Sequence, residues 1–576
     1  MFNRYYQEEL TLLKELGAEF SQAHPALAPM LSGQTSDPDV ERLLEGTAFL
    51  TGLVRHKLDD EFPELLHGVM NLLAPHYLRP VPSSSILAFT PRPTLREPLL
   101  VPAGTEVASV PVDGTSCVFR TCFDIEALPL RIKNAAMEQR AGLPPRITIQ
   151  FELAGIPLAA LNQKRIRLYL AGGIPQGSDL YYHLMTNVAQ VELSSPDGKP
   201  CILPASAIQP VGFGQDDALL HYPRQSFPAY RLLQEYFMLP EKFLFVDIEG
   251  IERWTSRGRG SSFSLSLQLK QEPAVPVPIK QDSFLLFATP IINLFHHDAE
   301  PIRYDHRKSR YLIRPSGAKQ KDYQIIQVEK VSGFMQGTSK EKAYISFQQF
   351  SPQYEAQAVY NISIAKSVID DSLETYISVA YPGVETAPVE EVLSLKLLCT
   401  NATLPENLGL GDICRHTSTS PELLEFSNIR PATMNVQPPL GASILWRLLS
   451  HASINLLTID RPEALKTILD LYVFTEGRDK ASILANKKRV AGIERVEIQS
   501  INRLMQGIMA RGIAITLHLK RDNFAGIGDM YLFGSVLDRF LGWYSTINSF
   551  TSLTVREVNT GETYTWPARN GEHFLI

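Results

Sequence analysis

The sequence predicts an α+β protein of several domains, with a helical N-terminal segment, β-rich middle domains of sandwich or barrel type, and an α+β C-terminal domain. Three observations predict this class: helical periodicity near both ends, short apolar runs between turns in the middle, and a length of 576 residues. Chains of that length usually hold several domains. The segments that we expect are residues 1–80, 81–330, 331–430 and 431–576.

The first twenty residues have the periodicity of an amphipathic helix. Their large apolar side chains lie roughly along one stripe, and charged residues occupy the other side. Such a stripe is either covered within the chain or joined to helices of another chain, and periodicity does not decide between the two. The candidate interface residues are Phe2, Tyr5, Tyr6, Leu13, Leu16 and Phe20.

Two further helices are predicted before residue 80. Asp37 and Pro38 resemble an N-cap followed by proline at the first helical position. Apolar residues recurring through 40–58 mark one helix. Glu64–Leu73 is predicted as a separate helix, because Pro63 precedes it and proline disrupts helix interiors.

The pattern changes between about residues 83 and 431 to short apolar runs separated by turns, which is typical of strands. Many strands at short intervals favour two β-rich domains. Tyr230–Tyr236 is predicted as a short helix among them, and residues 98–107 as strand, turn and strand. The other predicted strands are Ser85–Phe89, Arg146–Leu153, Arg165–Leu170, Phe263–Leu269, Tyr323–Val331, Ala343–Phe347, Tyr360–Ile364 and Thr375–Ala380.

The last third mixes helices and strands. Gly441–Leu457 is predicted to be helical, and Asp460 is expected to cap a second helix with Pro462 just inside it. Val490–Ile498 and Ile513–Leu519 have the character of strands.

The stretch from residue 526 to 553 is predicted as the packing unit around which the chain is organised. Asp529 is expected to cap a helix with one apolar face. A strand through 547–555, a turn at 559–561 and a return strand from Tyr564 follow. The residues of the apolar face are Leu532, Phe533, Val536, Leu537, Phe540 and Leu541.

Composition excludes several classes of protein. A formal charge of −6 argues against a general nucleic-acid binder. Five cysteines provide no disulfide framework, which favours a reducing compartment. The start of the chain does not resemble a secretory signal, and no apolar run is long enough to cross a bilayer. We therefore expect a cytoplasmic protein without direct membrane insertion.

The sequence carries no recognised catalytic or nucleotide-binding motif of the Walker A, HExxH, GxSxG or CxxC type. Gly526 and Gly528 are expected to form a loop rather than a phosphate site. One polar cluster contains ligand types that metals accept, but Pro301 interrupts it and a polar loop is the better interpretation. We predict no catalytic, cofactor or metal site. The cluster is His296, His297, Asp298, Asp305 and His306.

Three smaller patterns receive ordinary structural interpretations. The acidic run 59–61 could pair with arginines of a partner, but such runs more often form a solvated surface at a helix end. Residues 257–260, near Trp254, are interpreted as a turn rather than a nucleic-acid contact. Cys117 and Cys122 are interpreted as two strand cysteines.

Seven stretches, in order along the chain, resemble the TssF family of bacterial type VI secretion systems, also called VasA or ImpG. No one stretch is diagnostic, but seven in register make coincidence improbable. The first begins FNRYYQEELTLLKEL, the third reads YRLLQEYFMLPEKFLFVDI, and the fourth, TPIINLFHHDAEPI, also accounts for the histidine cluster. They are Phe2–Leu31, Phe62–Ser83, Tyr230–Ile248, Thr289–Ile302, Cys399–Asp412, Leu445–Leu457 and Leu532–Leu553.

The resemblance implies a non-enzymatic wedge subunit of the baseplate. In that family two TssF copies and one TssG form a wedge core that also carries TssK and the gpW-like TssE. The wedges surround a VgrG spike, and the sheath and Hcp tube grow from this platform. The N-terminal helices would then join the second TssF copy and TssG in a shared bundle. The assembled baseplate would hold the chain at the cytoplasmic face of the inner membrane.

Two rival functions stay open at this point. A carbohydrate-active enzyme with β-sandwich domains would need two carboxylates ~5–9.5 Å apart across a cleft. A stand-alone adhesin or binding module would normally be secreted, and the missing signal counts against it.

Overall fold

The computed structural model describes residues 2–23, 38–73, 75–139, 144–220, 222, 226–273, 278–317, 319–335, 341–347, 358–367, 372–381, 390–438, 461–473, 480–505, 508–545 and 549–571. The chain divides into two compact units. The first unit is Met1–Leu78 with Pro439–Leu449, and the second is Arg79–Pro438 with Ser450–Ile576.

Helices and strands both contribute to the described part of the chain, and the α+β class is confirmed. The α-helices of that part are α1 Phe2–Ala23, α2 Pro38–Leu73, α3 Gly173–Thr186, α4 Ala229–Met238, α5 Pro462–Tyr472, α6 Lys480–Ala491 and α7 Ile527–Gly542.

The strands are also numbered in chain order. Up to residue 312 they are β1 Ser84–Pro91, β2 Leu99–Val101, β3 Glu106–Val112, β4 Thr115–Thr121, β5 Ile125–Ala127, β6 Leu130–Glu138, β7 Arg146–Leu153, β8 Arg165–Leu170, β9 Val188–Ser194, β10 Cys201–Pro204, β11 Ile208–Val211, β12 Phe245–Glu249, β13 Ser262–Leu269, β14 Phe284–Leu286, β15 Ala288–Ile292, β16 Phe295–Asp298, β17 Ile302–Tyr304 and β18 Tyr311–Leu312. After it they are β19 Gln324–Met335, β20 Glu341–Ser346, β21 Val359–Lys366, β22 Leu373–Ala380, β23 Glu391–Thr400, β24 Arg415–His416, β25 Leu424–Asn428, β26 Ile493–Met505, β27 Ile508–Leu519, β28 Ser549–Glu557, β29 Thr563–Thr565 and β30 Arg569–Asn570.

The first unit contains α1 and α2. The separate helix predicted for Glu64–Leu73 is wrong, because α2 runs without interruption through Pro63. Proline removes one backbone hydrogen bond and costs about 3 kcal/mol in a helix interior, which weakens α2 at this point without ending it. The acidic run 59–61 therefore lies inside a helix and not at a helix end.

A six-stranded sheet of the second unit has the order β24-β3-β4-β15-β1-β25. Strand β1 lies next to the edge strand β25 and pairs antiparallel with β15 and with β25, so that Ala88 lies opposite both Ala288 and Ser427. Leu87, Phe119 and Ile291 contribute to the buried core of this sheet. Strands more than three hundred residues apart in sequence thus share one layer.

Strands β6 to β14 form two smaller sheets. One has the order β10-β9-β13-β7-β6, and the other has the order β11-β12-β8-β14. In the first, Phe151 and Phe263 lie opposite each other, and their rings stack with centroids 4.8 Å apart. The predicted strand Phe263–Leu269 is confirmed. Its apolar residues occupy alternate positions, and that face is turned toward the core.

Residues 295–400 form an eight-stranded sheet in the order β16-β23-β19-β20-β21-β22-β18, with β17 also paired to β23. Strand β23 pairs with β16, β17 and β19, and Leu393, Leu395 and Leu397 are buried on one face of it. The pairing is antiparallel except between β20 and β21. The predicted strands of this region overlap the observed ones.

The four predicted domain ranges stay a prediction. Because β1 pairs with β25, one sheet contains strands from two of those ranges, 81–330 and 331–430. The eight-stranded sheet is built from residues between β15 and β24, both of which belong to the six-stranded sheet. It is therefore an insertion within the chain path of the six-stranded sheet.

The C-terminal region contains a β-α-β unit, in which β27 and β28 pair in parallel and α7 connects them. The predicted apolar face of α7 is buried, as are most of its other residues. The predicted turn and return strand are confirmed, with Gly561 in the left-handed region and β29 antiparallel to β28.

Three local predictions in this region need correction. Val490 lies in the last turn of α6, which ends at Ala491, and the strand starts only at Ile493. Asp529 lies inside α7, where Gly526 is the N-cap. The N-cap of α5 is Arg461, whereas Asp460 and the predicted helix 441–457 lie outside the described residues.

Candidate protein interaction surface

The two helices of the first unit pack against each other in antiparallel directions. Near the start of α1, the backbone of Tyr6 approaches Gly52 of α2. Nearer its other end, the ammonium group of Lys14 lies 3.2 Å from the carboxylate of Glu41, close to the start of α2. These two contacts show that the two helices run antiparallel.

Small residues form the seam between α1 and α2. Ala48 is fully buried, and Gly52, one turn later, is also buried. A Cβ atom at residue 52 would lie 3.3 Å from the Tyr6 nitrogen, so the helices meet there almost backbone to backbone. The size of the side chains at a contact sets the distance between two helix axes, and the small residues of this seam allow a short distance.

Large apolar side chains face solvent on both helices of the pair. Their exposed fractions lie between 43 and 70%. Exposed apolar side chains of this size make the helix pair a candidate site of interaction with another protein. The side chains are Leu12, Leu16, Phe20, Leu43, Phe49, Leu50, Leu53 and Val54, which we call the helix-pair surface.

The predicted interface residues all lie on α1, but the structure separates them into groups. Leu16 and Phe20 belong to the helix-pair surface. The side chain of Phe2 lies outside the described part of the chain. The partly buried members are Tyr5, Tyr6 and Leu13.

Sequence reasoning missed most of the helix-pair surface. Leu12 was not included in the stripe, and five members lie on α2. Leu43, Leu50 and Val54 do recur with helical periodicity, but periodicity alone does not show which partner covers an apolar face.

The histidine cluster is dispersed into separate contacts. His296 Nδ1 lies 2.8 Å from a carboxylate oxygen of Glu329. His297 stacks on the ring of Tyr323 and donates to the backbone carbonyl of Ser316 over 2.8 Å. No set of three or more potential ligands gathers around a common point among the described residues.

The cysteine pair and the arginine-glycine loop have structural roles. Burial raises the pKa of Cys117 to about 11 and that of Cys122 to about 12, which disfavours the thiolate that metals and electrophiles require. Arg257 is buried and donates to the backbone carbonyls of Trp254 and Ile251, so it is not free to contact a nucleic acid.

A buried ionic cluster lies at α4 in the second unit. Glu235 accepts hydrogen bonds from Lys242, from Arg231 at 3.3 Å, and from the backbone amides of Leu219 and Leu220. Burial alone would raise the pKa of Glu235, but the charges of Arg231 and Lys242 and these hydrogen bonds hold it below its usual value. The carboxylate is thus ionised and saturated with donors, as expected of a structural group.

A second ionic pair joins α6 to α7. The guanidinium of Arg489 donates to both carboxylate oxygens of Asp529 over 3.0 and 3.1 Å, and Asn486 accepts from the same guanidinium. Asp529 also accepts from the backbone amide of Ala525, just before α7. Its carboxylate therefore anchors the start of the helix without being its N-cap.

Aromatic side chains connect α7 to its neighbours in the second unit. Phe540 lies 5.8 Å from Tyr230 of α4, and Phe533 lies 5.8 Å from Tyr236, measured between ring centroids. Gly528 sits so close to α3 that a Cβ atom would lie 2.3 Å from the Asp179 nitrogen. These contacts pack α7 against α3 and α4.

A family model described as "Type VI secretion system, TssF" matches residues 1–573 of the chain. The chain belongs to the TssF family. TssF is a baseplate subunit of the type VI secretion system. The buried cores of the second unit and the exposed apolar side chains of the helix pair are consistent with a structural component of an assembly.

A TssF protein from another organism is similar along almost the whole chain. The type VI secretion system component TssF1 of Pseudomonas aeruginosa is 31% identical over an alignment of 627 positions, covering 98% of this chain and 98% of that protein.

Two solved structures are similar to this TssF in fold. A cryo-electron microscopy structure of a TssK-TssF-TssG baseplate subcomplex contains a chain with a TM-score of 0.76 and 29% identity, covering 92% of this chain and 99% of that one. A structure of the baseplate complex contains a chain with a TM-score of 0.60 and 25% identity, with full coverage of both.

None of the helices in the described ranges combines the length and the apolar character needed to cross a membrane.

Proposed function

We propose that this chain is a structural wedge subunit, with two copies assembling with one TssG. The wedge would also carry TssK and TssE and surround a VgrG spike, as the platform on which the sheath and the Hcp tube grow. The similar solved chain comes from a complex with TssK and TssG, which supports those two partners most directly. The chain would reside in the cytoplasm and reach the inner membrane through the assembled baseplate.

The observation that carries this proposal is the helix-pair surface. Each of its eight side chains is more than two-fifths exposed, and they lie on a pair of helices whose mutual contact uses small residues. Large obligate interfaces between proteins are rich in apolar and aromatic groups and deplete charge at their centre. Helices of a second copy and of TssG would cover this surface in a shared bundle.

A non-enzymatic role agrees with the chemistry of the second unit. The buried carboxylates of Glu235 and Asp529 are saturated by cations and backbone amides, and they hold helices in place. A general acid or base needs a carboxylate that reaches a substrate. We infer that these groups serve stability.

The test is co-expression of this chain with TssG, followed by native mass spectrometry of the purified complex. The proposal predicts a stable species with two copies of this chain and one TssG. A well-behaved monomer that does not bind TssG would overturn it. The full-length chain is required, because the helix-pair surface belongs to the N-terminal unit.

A further inference from the structure

The inserted sheet, which is the eight-stranded sheet of residues 295–400, is joined to the six-stranded sheet at one place. The chain enters it between β15 and β16 and leaves it after β23. Phe295 follows the entry and Cys399 precedes the exit, and these two residues lie opposite each other in the antiparallel pair of β16 and β23. The two covalent connections are therefore side by side, and a change of backbone angles there would reorient the whole inserted sheet.

The buried side chain of Asn293 ties the two connections together. Its nitrogen donates to the backbone carbonyl of Val118 over 2.7 Å and to the side-chain oxygen of Asn401 over 2.9 Å. Its oxygen accepts from the Thr400 hydroxyl over 2.5 Å and from the backbone amide of Asn401 over 2.7 Å. Both donors and the acceptor oxygen of this amide are thus used, and a satisfied buried network of this kind specifies one arrangement.

The backbone at the exit of the inserted sheet is strained. Ala402, directly after Asn401, has a φ of 50°, in the left-handed region that residues other than glycine rarely adopt. Asn401 is held in place by Asn293 and by the backbone amide of Val118, which donates to its side-chain oxygen over 3.1 Å. Such conformations persist only where the surrounding structure imposes them. Movement at the junction would therefore relieve this strain.

Polar contacts away from the junction hold the inserted sheet against the rest of the second unit. The Thr115 hydroxyl, at the start of β4, donates to the carboxylate of Asp322 over 2.5 Å. Gln324, the first residue of β19, donates to Gln437 over 2.6 Å and accepts from Asn435 over 2.8 Å. We call these the latch contacts. Asp322 and Gln324 are half-buried, so water can replace their partners. Polar interfaces between parts of a chain permit relative motion more readily than large apolar ones.

We propose that the inserted sheet is a swivelling module, with the junction of Asn293 and Asn401 as its pivot and the latch contacts holding the observed orientation. When the latch contacts open, the sheet turns about the junction, and the strain at Ala402 favours the turned state. Val118 packs against the core of the inserted sheet while its backbone binds both asparagines, so this apolar contact lies at the pivot itself. The device is independent of the helix-pair surface, which belongs to the other compact unit.

The experiment measures the distance between two spin labels on the full-length chain by pulsed electron paramagnetic resonance. One label is attached to Cys414, an exposed native cysteine directly before β24. The other is attached after the change Asn361→Cys, at an exposed position of β21 in the inserted sheet. Cys201→Ser removes the half-buried native cysteine, and the remaining native cysteines are buried. This labelled chain is expected to show one main distance and a minor second distance.

Removal of the latch contacts tests what holds the observed orientation. The double change Asp322→Ala with Gln324→Ala is expected to raise the population at the second distance about threefold or more. Lys330→Ala with Glu341→Ala is the matched control, because this exposed ion pair of 2.8 Å lies within the inserted sheet. The control should leave the distances unchanged. A latch variant with the same distances and populations as the control would overturn the proposal.

Relief of the strain tests the pivot in the opposite direction. Ala402→Gly removes the steric cost of the left-handed conformation and leaves the latch contacts intact, so the second distance should lose about half of its population or more. An unchanged or larger population would contradict the proposal. This variant should keep or raise the Tm, so it decides the matter even where circular dichroism shows that the latch variant does not fold. Co-purification with TssG is recorded for each variant, so that failure of the wedge assignment is recognised separately.

Discussion

The backbone nitrogen of Tyr6 lies 3.3 Å from the point that a Cβ atom on residue 52 would occupy. The Tyr5 carbonyl carbon and the Tyr6 Cα lie 3.4 Å from the same point. Gly46, earlier in the same helix, has no atom within 4 Å of its corresponding point. Gly46 is therefore exposed, whereas Gly52 is buried against the backbone of α1.

This difference predicts opposite effects of alanine at the two positions. Gly46→Ala should stabilise α2 by about 0.5–1 kcal/mol, because alanine is the better helix former. Gly52→Ala should lose that gain and loosen the helix pair, because the new methyl group meets the backbone of α1. Hydrogen exchange of amides in α1 and α2, measured by mass spectrometry, checks both changes. Equal protection in the two variants would show that α1 and α2 do not pack as described.

The buried cluster at α4 predicts a dependence of stability on pH. The folded-state pKa of Glu235 is below its ordinary value, so its contribution is present above the unfolded-state pKa of about 4.5 and is lost as the pH falls through the folded-state pKa. Removing this charge leaves Arg231 and Lys242 buried without their partner. Glu235→Gln should therefore cost about 3–5 kcal/mol near neutral pH.

Calorimetry from pH 7 to pH 3 checks this expectation. The Tm difference between wild type and Glu235→Gln should be largest at pH 7 and shrink in the acidic range. Glu249→Gln is the control, since Glu249 is exposed at the end of β12. A difference that is constant across the whole pH range would contradict the assignment of an ionised Glu235.

The anchor of α7 gives a further prediction. Asp529→Ala leaves the buried guanidinium of Arg489 without its carboxylate and the Ala525 amide without its acceptor. We expect a loss of about 3–5 kcal/mol in the free energy of unfolding. Asp522→Ala, at an exposed position nearby, should change it by less than about 0.5 kcal/mol. Chemical denaturation measures both, and similar values for the two variants would be incompatible with the buried pair.

Local patterns predicted much of the fold. Period-two alternation located strands such as Phe263–Leu269, and helical periodicity located the buried face of α7. Both signals arise within one element, where burial of one face dictates which residues are apolar. Pro63 misled the prediction, since an interior proline weakens a helix locally but does not always end it.

Contacts between distant segments were beyond such patterns. The pairing of β1 with β25 joins segments more than three hundred residues apart, and no local feature of either strand specifies its partner. Glu and Lys are typical of solvated surfaces. Glu235 and Lys242 are nevertheless fully buried, because each compensates the charge of the other. For the interaction surface, the sequence located apolar positions on α1, but only the packing of α2 shows which of them stay exposed.

The central claim is that the helix-pair surface is buried by partners in the wedge, and polar replacement within that surface tests it most directly. The double change Leu16→Asn with Phe20→Asn alters two exposed side chains, so the chain should fold as before. We measure the amount of TssG that co-purifies with it, beside wild type and the Leu410→Asn control. The account predicts a loss of about tenfold or more for the double variant and wild-type recovery for the control. Full recovery of TssG with the double variant would contradict it.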